Sequence, residues 1–255
     1  MANPMSTRMS SRDHFFSPAV FSRIDLADEA LMIANHFAGR IGVYVEVGAY
    51  EPILMSQTWQ LELRGWTGVL VEPVSEQAAR LRAQRNARVA EVACGSPAQH
   101  GTSMELQVCD IRSTLIPGFM DPEFSPREIR LVPIVTLDSV LAEAGLDRID
   151  FISIDVEGAE IDVLEGFSLE RYRPSLVLLE DFLSDQTRYR HMTRRGYRLV
   201  RRTGKDSWYV PDDYEFRVSP FGRWQLFRKV HGTRLRAIKN WRRRRAREAA
   251  VAAKR

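Results

Sequence analysis

The sequence predicts an α/β fold: a doubly wound, mostly parallel sheet with helices on both faces. Two observations predict it. Short apolar runs alternate with segments of helical periodicity along most of the chain, and such runs read as parallel strands covered on both sides. The 255 residues are 44% hydrophobic, enough for one large domain with a sizeable core.

Taken in order, residues 1–24 mix Ser, Pro and Arg with a few aromatics and read as an extension. Residues 25–38 read as a helix, with Leu26, Ala30, Ile33, Ala34 and Phe37 on one face and Gly39 placed as its C-cap. Residues 43–47 form an apolar strand ending at Gly48. Residues 52–63 read as a helix with Pro52 in its first turn. A second strand, 69–71, ends in Glu72 and Pro73, and Ser75 is placed to N-cap a helix that runs to about Gln84. Strands are predicted at 89–93, 104–108 and 131–135, the last on an edge because Pro133 cannot donate to a ladder. Residues 110–128, rich in Pro, Gly and Asp, read as a loop or lid. Thr136 is placed to cap a helix to about Ala144. The apolar strand 151–154 leads to a short helix, 159–167, and strand 176–179 ends in Glu180 and Asp181. A helix over 185–195 and a strand pair, 197–200 and 208–210, close the domain.

No apolar run approaches the roughly 20 residues of a membrane span, and the N-terminus lacks the apolar core of a signal peptide. A cytoplasmic protein is the expectation. Cys94 and Cys109 are the only cysteines, expected as free thiols. The five histidines have no metal spacing. Residues 221–255 carry 13 Lys/Arg and one acid, Glu248, a net of +12, while the other 220 residues carry 24 bases and 32 acids, a net of −8. The chain thus divides into an extension (1–24), a body (25–220) and a basic tail (221–255). In the tail Trp224, Phe227, Val230, Leu235, Ile238 and Trp241 form a helical stripe beside the run WRRRRAR. This pattern suits an anionic membrane surface, with nucleic acid or packing on the acidic body as the alternatives.

The first strand turns into its helix through YVEVGAYEP, residues 44–52, with one glycine and no GxGxxG, so a pyrophosphate has no cradle. Glu72 stands 24 residues after Gly48, where an acid accepts hydrogen bonds from a ribose diol. With Glu46 in the first strand, the combination suggests a nucleoside without a diphosphate. S-adenosylmethionine meets that description.

The segment DFISIDVEGAEIDVLEGF, residues 150–167, resembles the signature of the FkbM family of S-adenosylmethionine-dependent O-methyltransferases. Residues 132–138, Glu46-Val-Gly48-Ala49, Val71-Glu72-Pro73 and Glu180-Asp181 are similar to the family as well. The resemblance covers about residues 40–210. It implies a class I methyltransferase (Rossmann-like) sheet of seven strands. It implies a cofactor lying over Glu46, Gly48 and Ala49, with Tyr50 and Pro73 beside it and Glu72 on the ribose. Cys94 would border the adenine, and Ser113 falls in an element similar to the family's middle loop. The first loop departs from the family's D-x-G-A-N-x-G: Tyr50 replaces the Asn and Pro52 the second Gly, which makes the loop stiffer and bulkier.

The implied reaction is methylation of a hydroxyl, of a sugar in a polysaccharide, lipid-linked glycan or glycosylated metabolite. The hydroxyl must be positioned and its proton removed, by a carboxylate base or by a metal that lowers its pKa. Asp155 is the leading candidate, because it directly follows an apolar strand. Glu157 is expected to face the cleft, and Glu160 to start a helix. Asp155, Glu180 and Asp181 are the candidate ligands of Mg²⁺. The rivals are a nucleic-acid methyltransferase, disfavoured by the lack of an N/D-P-P-Y motif, and a non-catalytic scaffold.

Overall fold

The computed structural model describes residues 26–109, 112–118, 126–183 and 185–232. The expected extension over 1–24, the tail beyond 232 and part of the expected lid lie outside the described residues. The first half runs α1 (Leu26–His36), β1 (Val43–Val47), α2 (Trp59–Glu62), β2 (Thr67–Val71), α3 (Ser75–Gln84), β3 (Arg88–Ala90), β4 (Ala93–Cys94), β5 (Ser103–Val108) and β6 (Glu128–Val135). The second runs α4 (Leu137–Glu143), β7 (Phe151–Ile154), α5 (Glu160–Glu165), α6 (Leu169–Tyr172), β8 (Leu176–Glu180), α7 (Thr187–Arg194), β9 (Tyr197–Thr203), β10 (Asp206–Pro211) and α8 (Pro220–Val230).

The apolar runs build one seven-stranded sheet in the order β3-β2-β1-β7-β8-β10-β9. It is mostly parallel; β10 runs antiparallel to both neighbours. Side chains alternate across it as strand geometry requires. Val45, Val69, Ile152 and Val177 pack with residues of α4, α5, α6 and α7, including Leu141, Val163, Leu169 and Met192. Tyr44, Leu70, Phe151 and Leu178 pack with Ile33 of α1, Phe37 just after it, Leu61 of α2 and Leu81 of α3. Helices therefore cover both faces, and each fully buried Leu, Ile or Val contributes roughly 1.5–3 kcal/mol. The arrangement is consistent with a methyltransferase fold.

Three local expectations are corrected. Residues 52–63 are not one helix; only α2 is helical. Backbone N–H groups of this segment go to side chains instead: those of Ile53, Leu54 and Gln57 to carboxylates, and that of Thr58 to Ser56 Oγ. Glu51 Oε2 accepts from the Ile53 and Leu54 N–H groups, and Glu46 accepts from Ser56, Gln57 and Thr58. The strand expected at 89–93 is split: β3 edges the large sheet, and β4 joins β5 and β6 in a three-stranded sheet ordered β4-β6-β5. Pro133 lies in the middle strand of that sheet rather than on an edge. The Ile134 N–H donates to Thr102 O on the β5 side, so the Pro133 nitrogen faces the other way. There β4 begins to pair only at Ile134, and no ladder bond is lost.

Candidate active site

The sheet reverses direction at β1, which has β2 on one side and β7 on the other. Ligands of open α/β sheets bind outside the carboxyl ends of strands at such a point. Gly48 follows β1 with φ +85°, and a Cβ there would lie 1.9 Å from the Asp155 carbonyl oxygen. Only glycine tolerates both the backbone and that approach. Gly48 and Ala49 donate their N–H groups to Val71 O at 3.0 and 3.1 Å, which ties the turn to β2.

Tyr50 comes next at φ +27° and donates its N–H to Glu72 Oε2 at 3.0 Å. Glu72 Oε1 accepts from Val74 N–H at 2.8 Å. Burial pushes the Glu72 carboxyl up to about 7, against these two hydrogen bonds. A cleft of about 600 Å³, counting its open mouth, is lined by Gly48, Tyr50, Glu72, Pro73, Cys94, Ser113, Asp155 and Glu157, with Val92, Leu106 and Leu115 as apolar wall. Burial pushes the Cys94 thiol up to about 12, so Cys94 is a small neutral wall residue. Ser113 Oγ accepts from Cys109 N–H at 3.1 Å.

A second cleft of about 500 Å³ shares Gly48, Tyr50 and Asp155 and adds Glu46, Ala49, Met55, Gln57 and Ser153. Glu46 is buried and its carboxyl is raised by that burial. It accepts from Ser56 Oγ at 2.9 Å, Gln57 N–H at 3.0 Å and the Thr58 hydroxyl. Buried Arg85 closes the network, donating to Ser56 Oγ and Thr58 Oγ1 at 2.9 Å and to Pro52 O at 3.0 Å. Glu46 thus holds the loop after β1 as well as lining the cleft.

Asp155, Glu157 and Glu180 each bring one carboxylate oxygen to within 4.8 Å of the others. Asp155 Oδ1 and Glu180 Oε2 are buried with no hydrogen-bond partner among the described residues. Burial, then the charge of Glu180, raises the Asp155 carboxyl well above its usual range. The same two causes push Glu157 up to about 7. Lys205, in the turn between β9 and β10, reaches Glu180 Oε1 at 2.8 Å.

The turn carrying Glu157 is held by two side chains, Thr114 and Glu160. Glu157 takes the left-handed φ +49°. Thr114 Oγ1 donates to its carbonyl at 2.7 Å. Glu160 Oε1 accepts from Val156 and Gly158 N–H at 3.3 and 3.0 Å. Glu160 starts α5 as expected, yet it is fully buried and pairs through Oε2 with Arg188 of α7. That pairing has no local sequence signal.

Asp181 is the correction to the expected metal set. Its side chain takes the opposite direction from that of Glu180. It accepts from Lys229 Nζ at 2.6 Å, Ser207 Oγ at 2.9 Å, Tyr209 OH at 3.3 Å and Arg202 Nη1 at 3.4 Å. The structure brings Glu157, not Asp181, to Asp155 and Glu180. Sequence reasoning also missed Lys205, Thr114 and Arg85. Thr114 directly follows Ser113 in the element similar to the family's middle loop, whereas Lys205 and Arg85 reach the site from distant turns. His191 stays apart on α7, where burial and Arg195 lower its pKa.

A family model described as the methyltransferase FkbM domain matches residues 46–199. Comparison with curated proteins gives no match. The matched span begins at Glu46 in β1, ends in β9, and holds Gly48, Glu72, Asp155, Glu157 and Glu180. A methyltransferase domain over more than half the chain, laid on a sheet whose switch point forms a cleft, makes this protein a member of the FkbM methyltransferase family.

Proposed function

We propose that this methyltransferase uses S-adenosylmethionine to methylate a hydroxyl, of a sugar in a polysaccharide, lipid-linked glycan or glycosylated metabolite. The observation that carries the reading is one cleft joining Gly48 and Glu72 to Asp155 and Glu157 after β7, with Glu180 at the end of β8 grouped against those two acids. The residues fit the cofactor. A carboxylate offers about four lone-pair positions, and Glu72 spends two on backbone donors, which leaves acceptors for a ribose diol. Cys94, Leu106 and Leu115 offer a neutral wall to a base. When bound, S-adenosylmethionine supplies a methyl group already activated by its sulfonium.

The chain's own task is to position the hydroxyl and take its proton. Asp155 Oδ1, buried without a partner among the described residues, accepts the incoming O–H. Glu157 lies beside it at the cleft as the second acceptor. A second reading is favoured by the same partnerless oxygens, which suit a divalent cation such as Mg²⁺ held by Asp155, Glu157 and Glu180. A cation there would lower the pKa of a hydroxyl bound next to it.

One assay tests both readings. Labelled methyl transfer is measured on a panel of glycans and RNA, with native enzyme, Asp155→Asn and EDTA-treated enzyme. The expected results are label in a sugar and a fall of about 10²–10⁴-fold for Asp155→Asn. Folded Asp155→Asn with normal turnover, or label in RNA alone, refutes the proposal. Full rate after EDTA removes the cation reading and leaves the carboxylates as bases.

A further inference from the structure

Helix α8 turns its aromatic residues outward and a lysine inward. Trp224 is 50% exposed and Phe227 60% exposed, on the same side as Arg223 and Arg228. The Arg228 guanidinium lies 4.6 Å from the Trp224 ring centroid. The opposite side buries Gly222 and Lys229. A helix that merely completes the core would do the reverse, since exposing Trp and Phe forgoes apolar burial and burying an ammonium costs solvation.

The chemistry of the covering surface follows from charge. From Phe216 to Arg247 the sequence holds no Asp or Glu, and residues 221–255 carry a net of +12. Aromatic rings flanked by arginine seat at the boundary of headgroups and acyl chains, and clustered basic residues are drawn to anionic headgroups. No helix among the described residues is long and apolar enough to cross a membrane.

The orientation follows from the anchor. Lys229 Nζ donates to Asp181 Oδ1 at 2.6 Å and to Phe182 O at 2.7 Å. The Gln186 side-chain amide donates to Lys229 O at 2.7 Å. The end of α8 is thereby pinned to the segment following β8, one residue from Glu180 of the acid group. Leu54, 77% exposed, projects from the loop after β1 at the same carboxyl edge of the sheet.

We infer that α8 seats this protein on an anionic lipid bilayer, with the carboxyl edge of the sheet turned toward the membrane. The surface contact stands independently of the methyl-transfer reading. Resting on that reading, the favoured acceptor class is a glycan attached to lipid.

The test is co-sedimentation of the full chain with vesicles of phosphatidylcholine alone or mixed with phosphatidylglycerol. The native chain is expected to pellet with the mixed vesicles and to be released by salt. Trp224→Ala/Phe227→Ala is expected to bind at least about tenfold more weakly. Both side chains are exposed, so the variant keeps its fold, and calorimetric binding of S-adenosylhomocysteine checks this separately. No binding to mixed vesicles, equal binding to neutral ones, or unchanged binding by the double variant overturns the inference. Tighter binding to single-stranded RNA that displaces the vesicles overturns it in favour of nucleic acid.

Discussion

Glu72 directly follows β2 with both carboxylate oxygens already accepting backbone N–H groups, yet burial raises its pKa from 4.5 to about 7. The fold therefore favours its protonated form. Between these two values the unfolded chain gives up a proton that the fold retains, so this group's contribution to stability falls as pH rises through that window. Binding a ribose diol has the opposite preference, because the ionised carboxylate is the better acceptor. Affinity for S-adenosylhomocysteine, measured by calorimetry, is expected to rise from about pH 6 to about pH 8, by up to about tenfold. Glu72→Gln should bind more weakly and lose most of that slope; an unchanged slope would show that Glu72 does not meet the ribose. At this scale the sequence was informative where a residue's role is local. Gly48 and Glu72 announce themselves by position at strand ends. Asp181 did not, because its partners Arg202, Ser207, Tyr209 and Lys229 come from β9, β10 and α8, and spacing along the chain carries no trace of them.

The elements were legible wherever packing and periodicity agree. The strand expected at 151–154 is β7 residue for residue, and Thr136 caps α4 through its side chain, accepting from Ser139 N–H. The segment 52–63 departs from its helical periodicity because side chains compete for its backbone: Glu51 accepts from the Ile53 and Leu54 N–H groups, buried Glu46 from that of Gln57, and Ser56 Oγ from that of Thr58. Helix α8 illustrates the same dependence on distant charge. Its lysine and Asp181 are both fully buried, 2.6 Å apart. Removing one member of such a pair leaves the other charge uncompensated and costs about 3–5 kcal/mol. Lys229→Ala is expected to lower the unfolding free energy by roughly 3 kcal/mol, moderated by Arg202. Hydrogen exchange should quicken in α8 and residues 181–186. A variant as stable as the native chain would show that α8 is held by apolar packing alone.

In the whole molecule, β1 sits between two sets of strands. One set carries Glu72; the other carries Asp155 and Glu180. A ligand that touches both acts as a clamp across the switch point and binds only the folded chain. S-adenosylhomocysteine at about 100 times its dissociation constant should stabilise the fold by about 2.7 kcal/mol. For a domain of this size the denaturation midpoint should rise by about 5–10 °C, read by scanning calorimetry. A midpoint indifferent to the ligand would show that the folded chain does not bind it. Global topology was readable from alternation of element types, because each apolar run must find cover on two faces. The second, three-stranded sheet was not, since its pairing joins residues 93–94 to 134–135 across a stretch with no periodic signal.

Glu180 and Asp181 are joined by one peptide, and their side chains take opposite directions. One serves the acid group in the cleft; the other holds the ammonium of α8. The hinge between surface and chemistry is thus as short as a polypeptide allows. Any shift of α8 that draws Lys229 outward must either break its contact with Asp181 or move the backbone that sets Glu180. The strand end works as a lever with the sheet as its fulcrum, and whatever α8 rests upon is mechanically in touch with the carboxylates that would meet the acceptor.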